Sequence, residues 1–543
     1  MAERRRPRRD DENGLVNHLP DEVSVRVRAP AAEYVDRLYE DVRTALNRYL
    51  QQPPTRFHDL HQSLAQDVEP RELAAAGGVA EVLQRLDGAR AVPTQFANDV
   101  WHCYYRVEPA MQRVREVTNL LNLAALGQTD APTAQGWSLA GSSPNWLTSA
   151  LPFSCGSPAA LPRLAAGGKP PFHFEFGESV RAELASNHGR DPARVIVAIL
   201  DTCPAGLDDH RNPFLRQLLD RVQITHGEDL PSYVAECVPW LQEQMPSEPM
   251  PRPEFAMPDH GLFVAGIVHD IAPEVELHLF QVLNEFGVGD LSVLEQVLRS
   301  LPEKLLGDRS DARLIVNLSL GSAVPVPRRR FFSRWLPDAY GSVQGAWPEG
   351  VANDLLERAH GGLFNTMQWL HDQGVLVVAA AGNDALREHL KGVLPPPRYP
   401  AYYESVLAVA AAGPDGSPAA YSNRGDVQPF GNGLTTFGGN VVVRSAKRPP
   451  VTAEDGIVGV YSSPKLPSGE ANHSGWVRWA GTSFSTAIIS GLAARLWHQN
   501  AAQAPDDVIH RLRTSAHDIA TRRAQGTDPD GPLDAPYLEA HQH

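Results

Sequence analysis

Cysteine is scarce: the 543 residues hold four, Cys103, Cys155, Cys203 and Cys237, with no C-x-x-C spacing. That argues against a disulfide framework and offers no zinc-ligand pattern. Long apolar runs are missing too. No stretch approaches the roughly 18 apolar residues of a membrane span. Positive charge is in short supply, with 49 Lys and Arg against 64 Asp and Glu and a formal net charge of -15. A general nucleic-acid binder would show a basic face instead. The basic run Arg4–Arg9 (RRRPRR) reads as a solvated terminal tail. It is followed by DDENGLVNHLPDE rather than by the apolar core of a secretory signal. The expectation is a soluble, cytoplasmic protein with neither nucleic acid nor membrane as partner. Internal repeats and a G-x-S-x-G elbow are also absent, and FGVGD (Phe286–Asp290) stops short of a dinucleotide loop.

What is present falls into segments. Residues 1–29 read as a disordered tail. Residues 30–126 read as a helical N-terminal domain, because AAEYVDRLYEDVRTALNRYL spaces Tyr34, Leu38, Val42, Leu46 and Leu50 four apart. RELAAAGGVAEVLQRL and MQRVREVTNLLNLAAL read the same way. Residues 127–171 are rich in Gly, Pro, Ser and Ala and read as a linker. From residue 172 to 520 short apolar runs alternate with helical stretches, and 521–543 reads as a C-terminal tail. The runs are VIVAIL (Val195–Leu200), ELHLFQVL (Glu276–Leu283), LIVNLSL (Leu314–Leu320), VLVVAAAG (Val375–Gly382) and SVLAVAAA (Ser405–Ala412). Continuous apolar strands between helices predict an α/β fold with a mostly parallel sheet covered on both faces. Sites in such sheets form at the carboxyl ends of the strands.

Four polar residues stand at such ends. Asp201 closes VAILD, His260 opens HGLFVAGIVHDI, Asn383 follows AAAG, and Ser483 lies in GTSFSTAIISG at the head of an apolar helix. Each alone has an ordinary explanation: a paired structural acid, a first-turn histidine, a turn residue, a helix cap.

Together, and in this order, they resemble the subtilisin-like serine proteases. VAILDT is similar to that family's strand ending in the catalytic Asp. HGLFVAGI is similar to its His motif, AAAGND to its oxyanion Asn segment, and GTSFSTA to its nucleophile motif. The resemblance runs from about Arg194 to Ile519. It implies a serine endopeptidase with Asp201, His260 and Ser483 as triad, Asn383 in the oxyanion hole, and a protein or peptide substrate. It further implies that Ser319, Leu320 and Gly321, Gly287 and Gly289, and Ala381, Gly382, Asp384 and Arg398 bind substrate. A catalytically silent scaffold on the same fold is the alternative. No cofactor is required and no metal ligand set is expected. The loop that carries calcium in many secreted relatives is absent between His260 and Pro273, so calcium is not implied.

Departures qualify the resemblance. GTSFSTA lacks the proline that often follows the nucleophile, and HGLF lacks the second histidine. Cys203 stands where glycine is common and reads as a packing residue. Arg398 precedes Tyr-Pro at the pocket base, where a small residue is common. An inward Arg398 would pair with an acidic P1 side chain; an Arg398 bound to Asp384 leaves P1 preference open. His269 and His278 read as structural. Asp208–Pro251, Arg328–Gly350 and Asn432–Ser474 read as insertions. The N-terminal region does not resemble the short prodomain of secreted relatives. Three roles stand for it: recruitment of a regulatory protein partner through residues 30–126, inhibition, or stabilisation.

Overall fold

The fold is taken from a computed structural model of the chain. It describes residues 18–29, 35–51, 81–86, 93–97, 99–107, 114–125, 136–150, 162–165, 173–186, 192–204, 206, 212–227, 230, 256–307, 309, 311–322, 351–385, 395–426, 431–439, 456–467, 469–500, 502–516 and 535–542. These divide into two units. One comprises Met1–Leu147, Asp290–Gln296 and Val324–Trp369; the other comprises Thr148–Gly289, Val297–Ala323 and Leu370–His543.

The first unit contains β1 (His18–Arg28), α1 (Val35–Gln51), β2 (Leu83–Arg85), β3 (Thr94–Ala97), β4 (Val100–Val107), α2 (Val114–Ala125) and most of β5 (Ser138–Ser149). β1 runs antiparallel to both β4 and β5, and β4 also carries β2 and β3. Alternate residues Val23, Val25 and Val27 of β1 join Leu38, Val42 and Leu46 of α1 and Leu120 and Leu121 of α2 in one core. The predicted stripe on α1 is therefore a core face, with Tyr34 outside the described residues. The expectation of a mainly helical N-terminal domain is corrected for the described residues: among them, two helices pack on an antiparallel sheet. The signal was a period of two in EVSVRVR and the β-branched and aromatic content of VWHCYYRV. The expected tail 1–29 thus includes a central strand, and the expected linker 127–171 includes β5, where Trp146 and Leu147 are buried.

The second unit holds β6 (Arg163–Leu164), β7 (Phe174–Phe176), α3 (Glu178–Ser186), β8 (Arg194–Asp201), α4 (Pro213–Leu219), β9 (Val222–Thr225), α5 (His260–Ile271) and β10 (Glu276–Gln281). β11 (Val288–Asp290) and α6 (Leu291–Leu301) lead to β12 (Ala312–Leu318) and β13 (Gly321–Ser322). After α7 (Val351–Asp372), most of which belongs to the first unit, come β14 (Leu376–Ala380), β15 (Leu407–Ala412), β16 (Gly433–Phe437), β17 (Ile457–Val460) and β18 (Trp476–Trp479). The chain ends with α8 (Thr482–His498), α9 (Pro505–Ser515), β19 (Tyr537–Leu538) and β20 (Ala540–Gln542).

Eight of these strands form one parallel sheet in the order β19-β16-β15-β14-β12-β8-β10-β9. The five apolar runs are β8, β10, β12, β14 and β15, and β8, β14 and β15 are almost wholly buried, as parallel strands covered on both faces must be. Two expectations change here. Gly433–Phe437 belongs to the sheet, pairing in parallel with β15, so Asn432–Ser474 is not simply an insertion. Its short GLTTF run lacks the apolar continuity of the others. The C-terminal segment also docks: β19 extends the sheet, and Thr436 donates to the Leu538 carbonyl at 2.7 Å. Residues 212–227 of the first expected insertion form α4 and β9, whereas Arg328–Gly350 lies outside the described residues. Among the described residues no helix is long and apolar enough to cross a membrane.

Candidate active site

The sheet order decides where polar residues meet. After β8 the chain builds β10 on one side and then β12 on the other. A crevice opens at the carboxyl ends of strands where the order reverses in this way. Asp201 is the last residue of β8, and Ser319 follows the last residue of β12.

Asp201 is fully buried and meets His260, which is 4% exposed. The imidazole Nδ1 donates to both carboxylate oxygens, at 2.8 and 2.9 Å. The Thr202 N–H also donates to Asp201 Oδ1, at 2.7 Å. With Nδ1 as the donor, the neutral imidazole presents its lone pair at Nε2. The first turn of α5 can approach β8 this closely because residue 261 is glycine: a Cβ there would collide with the Thr202 carbonyl and stand 2.9 Å from Asp201 Cβ. Aromatic rings hold the imidazole from the far side, Trp479 edge-on at 5.2 Å and Phe484 at 5.5 Å. Asp259, fully buried beside His260, accepts from the Ser462 hydroxyl and from the Ser463 N–H at 2.8 Å. Burial pushes its carboxyl up from the ordinary value, against the pull of these hydrogen bonds.

Ser483 is the second residue of α8. Its hydroxyl donates to the Ser319 carbonyl at 3.1 Å, and the Ser319 hydroxyl lies 2.9 Å from both the Ser483 carbonyl and Asn317 Oδ1. Asn317 in turn donates to the Ser490 hydroxyl at 3.0 Å, so the tip of β12 is tied to α8 at two levels. The first N–H groups of a helix have no partners within it, and they carry its positive dipole end. Asn383 faces the same spot. Its Oδ1 accepts from the Thr482 N–H at 3.0 Å and the Thr482 hydroxyl at 2.9 Å, which turns the amide nitrogen away as a donor.

The cleft at Ser483 is lined by Ser319, Leu320, Gly321, Gly382, Asp384 and Arg398, together with Ala380, Asn383, Thr482, Ser149 and Ala150. Arg398 does not stand as a lone charge. Its Nε and Nη2 reach the two oxygens of Asp384 at 2.6 and 2.9 Å. Ala381 is placed differently from expectation. It is fully buried, with its N–H on the Val409 carbonyl and its own carbonyl accepting from the Arg398 N–H and Asn423 Nδ2. Its neighbour Ala380 lines the cleft. Gly289 packs against the Val282 carbonyl, and a Cβ there would lie 3.0 Å from Thr148 Oγ1.

Gly287 has a partner that the sequence did not announce. Its carbonyl accepts from the Ala150 N–H at 3.1 Å and the Ser149 hydroxyl at 2.9 Å. On its other edge the same segment runs antiparallel to β13, Ser149 opposite Gly321 and Thr148 opposite Ser322. Thr148–Ala150 is thus a strap lying as a middle strand between Gly287 and β13, with Ser149 and Ala150 lining the cleft.

Three further expectations can be placed. Cys203 is buried, and burial with the nearby Asp201 charge pushes its thiol up, so it is a packing residue rather than a reactive one. His278 pairs with Glu276 at 2.9 Å, and burial lowers His269. Cys155 and Cys237 lie outside the described residues. Thr482, Asn423, Asp259, Trp479 and the strap were missed; only Thr482 had a signal, its place inside Gly-Thr-Ser.

The family model of the subtilase family (Peptidase_S8) matches residues 193–530. The chain is also 31% identical over 180 residues to the Minor extracellular protease Epr of Bacillus subtilis (strain 168), a match covering 32% of this chain and 20% of that protein. The aligned part thus spans about a fifth of that relative's length.

Proposed function

The chain belongs to the subtilase family, and from that premise we propose that it is a serine endopeptidase held in check by its own N-terminal region. The observation that carries the reading is the His260 Nδ1 bonded to both oxygens of buried Asp201, with the His260 ring 5.5 Å from that of Phe484, the residue next to Ser483, which shares a cleft with Asn383. Ser483 Oγ attacks the scissile carbonyl while His260 Nε2 takes its proton. In this structure the hydroxyl rests on the Ser319 carbonyl, so it turns to the imidazole when substrate binds. Asp201 fixes the tautomer and stabilises the imidazolium. The oxyanion is held by Asn383 Nδ2 and the Ser483 N–H at the dipole end of α8. His260 then protonates the leaving amine, giving an acyl-enzyme and the first product. A water, deprotonated by the same imidazole, releases the second product and restores the Ser483 hydroxyl.

The strap, the segment that directly follows Met1–Leu147 in the chain, is what supports restraint from the N-terminal side of the peptidase region. An extended segment added to a sheet edge is the common way for a peptide to bind. Thr148–Ala150 uses the edges Gly287 and Gly321–Ser322, which a substrate strand would otherwise pair with. The buried, unbridged thiols of Cys103 and Cys203 suit work in a reducing compartment.

The test compares wild type with Ser483→Ala, each treated with a fluorophosphonate probe and read by intact mass. One adduct on the wild type and none on the variant is the expected result. A wild type that stays unlabelled, both as it is and with the strap unseated by Ser149→Pro/Ala150→Pro, overturns the reading in favour of a silent scaffold.

A further inference from the structure

The pocket beside Ser483 has two backbone walls, and one side chain stands between them. A Cβ built on Gly321 would lie 3.2 Å from Arg398 Cβ and 3.5 Å from its Cγ. A Cβ built on Gly382, on the facing wall, would lie 2.9 Å from Arg398 Cγ and 3.3 Å from Asp384 Oδ2. The arginine stem therefore rests against both glycine faces and fills the gap that a substrate side chain would enter.

The stem is anchored at both ends. The Arg398 N–H donates to the Ala381 carbonyl at 2.8 Å, and the next carbonyl, Tyr399, accepts from the Ser322 N–H at 2.7 Å. One end of the stem is thus tied to both walls. At the other end the guanidinium forks onto Asp384, with the two side chains 17% and 4% exposed. Asn423 locks that carboxylate in turn, donating from Nδ2 to Asp384 Oδ2 at 2.9 Å and accepting the Asp384 N–H at 2.8 Å.

We propose that Arg398, clamped by Asp384 and Asn423, is the specificity-determining residue of the cleft and restricts cleavage to bonds after small uncharged residues: Gly, Ala or Ser. Three arguments exclude the other classes. An acidic side chain would have to take the guanidinium from Asp384, stranding a buried carboxylate. A basic one would face the guanidinium. A large apolar one finds its space occupied by the stem. The inference rests on the endopeptidase reading above.

The test uses the full chain with the strap unseated by Ser149→Pro/Ala150→Pro. Peptides differing only in the residue before the scissile bond are turned over, and fluorophosphonate labelling of Ser483 is followed in parallel as a readout independent of that residue. We expect Ala and Ser to exceed Leu, Phe, Glu and Lys by about tenfold or more in kcat/KM, the scale on which pockets discriminate by size. Adding Arg398→Ala/Asp384→Asn opens the gap without stranding a carboxylate and raises Phe and Leu by about tenfold. Adding Arg398→Met/Asp384→Asn keeps the stem and the preference for small residues. Best turnover after Phe, Leu or Glu in the parent, or one shared profile for the two pocket variants, overturns the inference while labelling shows the nucleophile intact. Absence of labelling in every chain removes the endopeptidase reading, and this inference with it.

Discussion

Thr482 holds Asn383 by two donors at once, its N–H at 3.0 Å and its hydroxyl at 2.9 Å, both on the side-chain oxygen. An amide pinned by its oxygen can present only its nitrogen, so the donor is oriented before any substrate arrives. Such preorganisation is what makes a donor effective on a developing oxyanion. Asn383→Ala is expected to lower kcat by about 100- to 1,000-fold with little change in KM. Thr482→Val keeps the N–H bond and loses the hydroxyl, so its loss of kcat is expected to be nearer threefold to tenfold. Steady-state kinetics on one peptide check both. Equal losses would mean that Thr482 acts through α8 and not through Asn383.

Asp201 is fully buried, with His260 and the Thr202 N–H on its oxygens. Asp201→Asn presents an amide N–H where the imidazole needs an acceptor, which favours the other tautomer. A fall in kcat of about 10,000-fold is expected, with the fold intact by circular dichroism. A loss below tenfold would show that the pair is structural.

Gly261→Ala tests the closeness of α5 to β8. The new methyl would meet the Thr202 carbonyl and sit 2.9 Å from Asp201 Cβ. Overpacking of this kind typically costs about 1–3 kcal/mol, and here it pushes His260 off its carboxylate as well. Both the melting temperature and kcat are expected to fall. A variant that melts like wild type and retains its turnover would show that the helix start shifts freely.

How much of this was legible depended on the kind of signal. β8, β12, β14 and β15 announced themselves because a buried parallel strand has to be apolar throughout. Asp201, His260, Asn383 and Ser483 stood out because each sits at the end of such a run or at a helix head, where a polar residue has to be explained. β1 went unread because its valines alternate with Glu22, Ser24 and Arg26, so its average hydropathy resembles that of a tail. β16 went unread because Thr435 and Thr436 interrupt it. The Arg398–Asp384 pair was open in the sequence, since 14 positions separate the partners and only the fold decides which way the arginine turns. The strap was invisible for a similar reason: Thr-Ser-Ala has no side-chain signature, and its binding is carried by backbone and one hydroxyl.

The pH dependence of stability should carry the mark of Asp259. Burial raises its carboxyl, so the folded protein keeps that proton to a higher pH than the unfolded chain does. The stability this group contributes is present in full below the ordinary carboxylate range and is lost as pH rises through the folded value. Asp259→Asn removes the titration, keeps an oxygen acceptor for the Ser463 N–H and turns the amide NH2 to the Ser462 hydroxyl, which can accept. Relative to wild type, the variant is expected to gain melting temperature between pH 4 and pH 8. A variant that loses ground over that interval would show that the ionised form is the one the site stabilises.

The strap yields the last prediction. Proline has no N–H, so Ser149→Pro/Ala150→Pro removes the donor on the Gly287 carbonyl and breaks the pairing with Gly321. The Ser149 hydroxyl bond to Gly287 goes with it. Each lost bond is worth about 1 kcal/mol, so displacement of the strap by substrate should become easier by about tenfold or more. In the full chain this appears as faster peptide turnover and faster fluorophosphonate labelling, with kcat little changed once substrate saturates. Ser149→Ala serves as the control: it loses one side-chain bond, keeps the backbone ladder, and should stay within a few-fold of wild type. If the proline chain labels no faster than wild type, Thr148–Ala150 is only a strand ending at the cleft, and the proposed restraint is wrong.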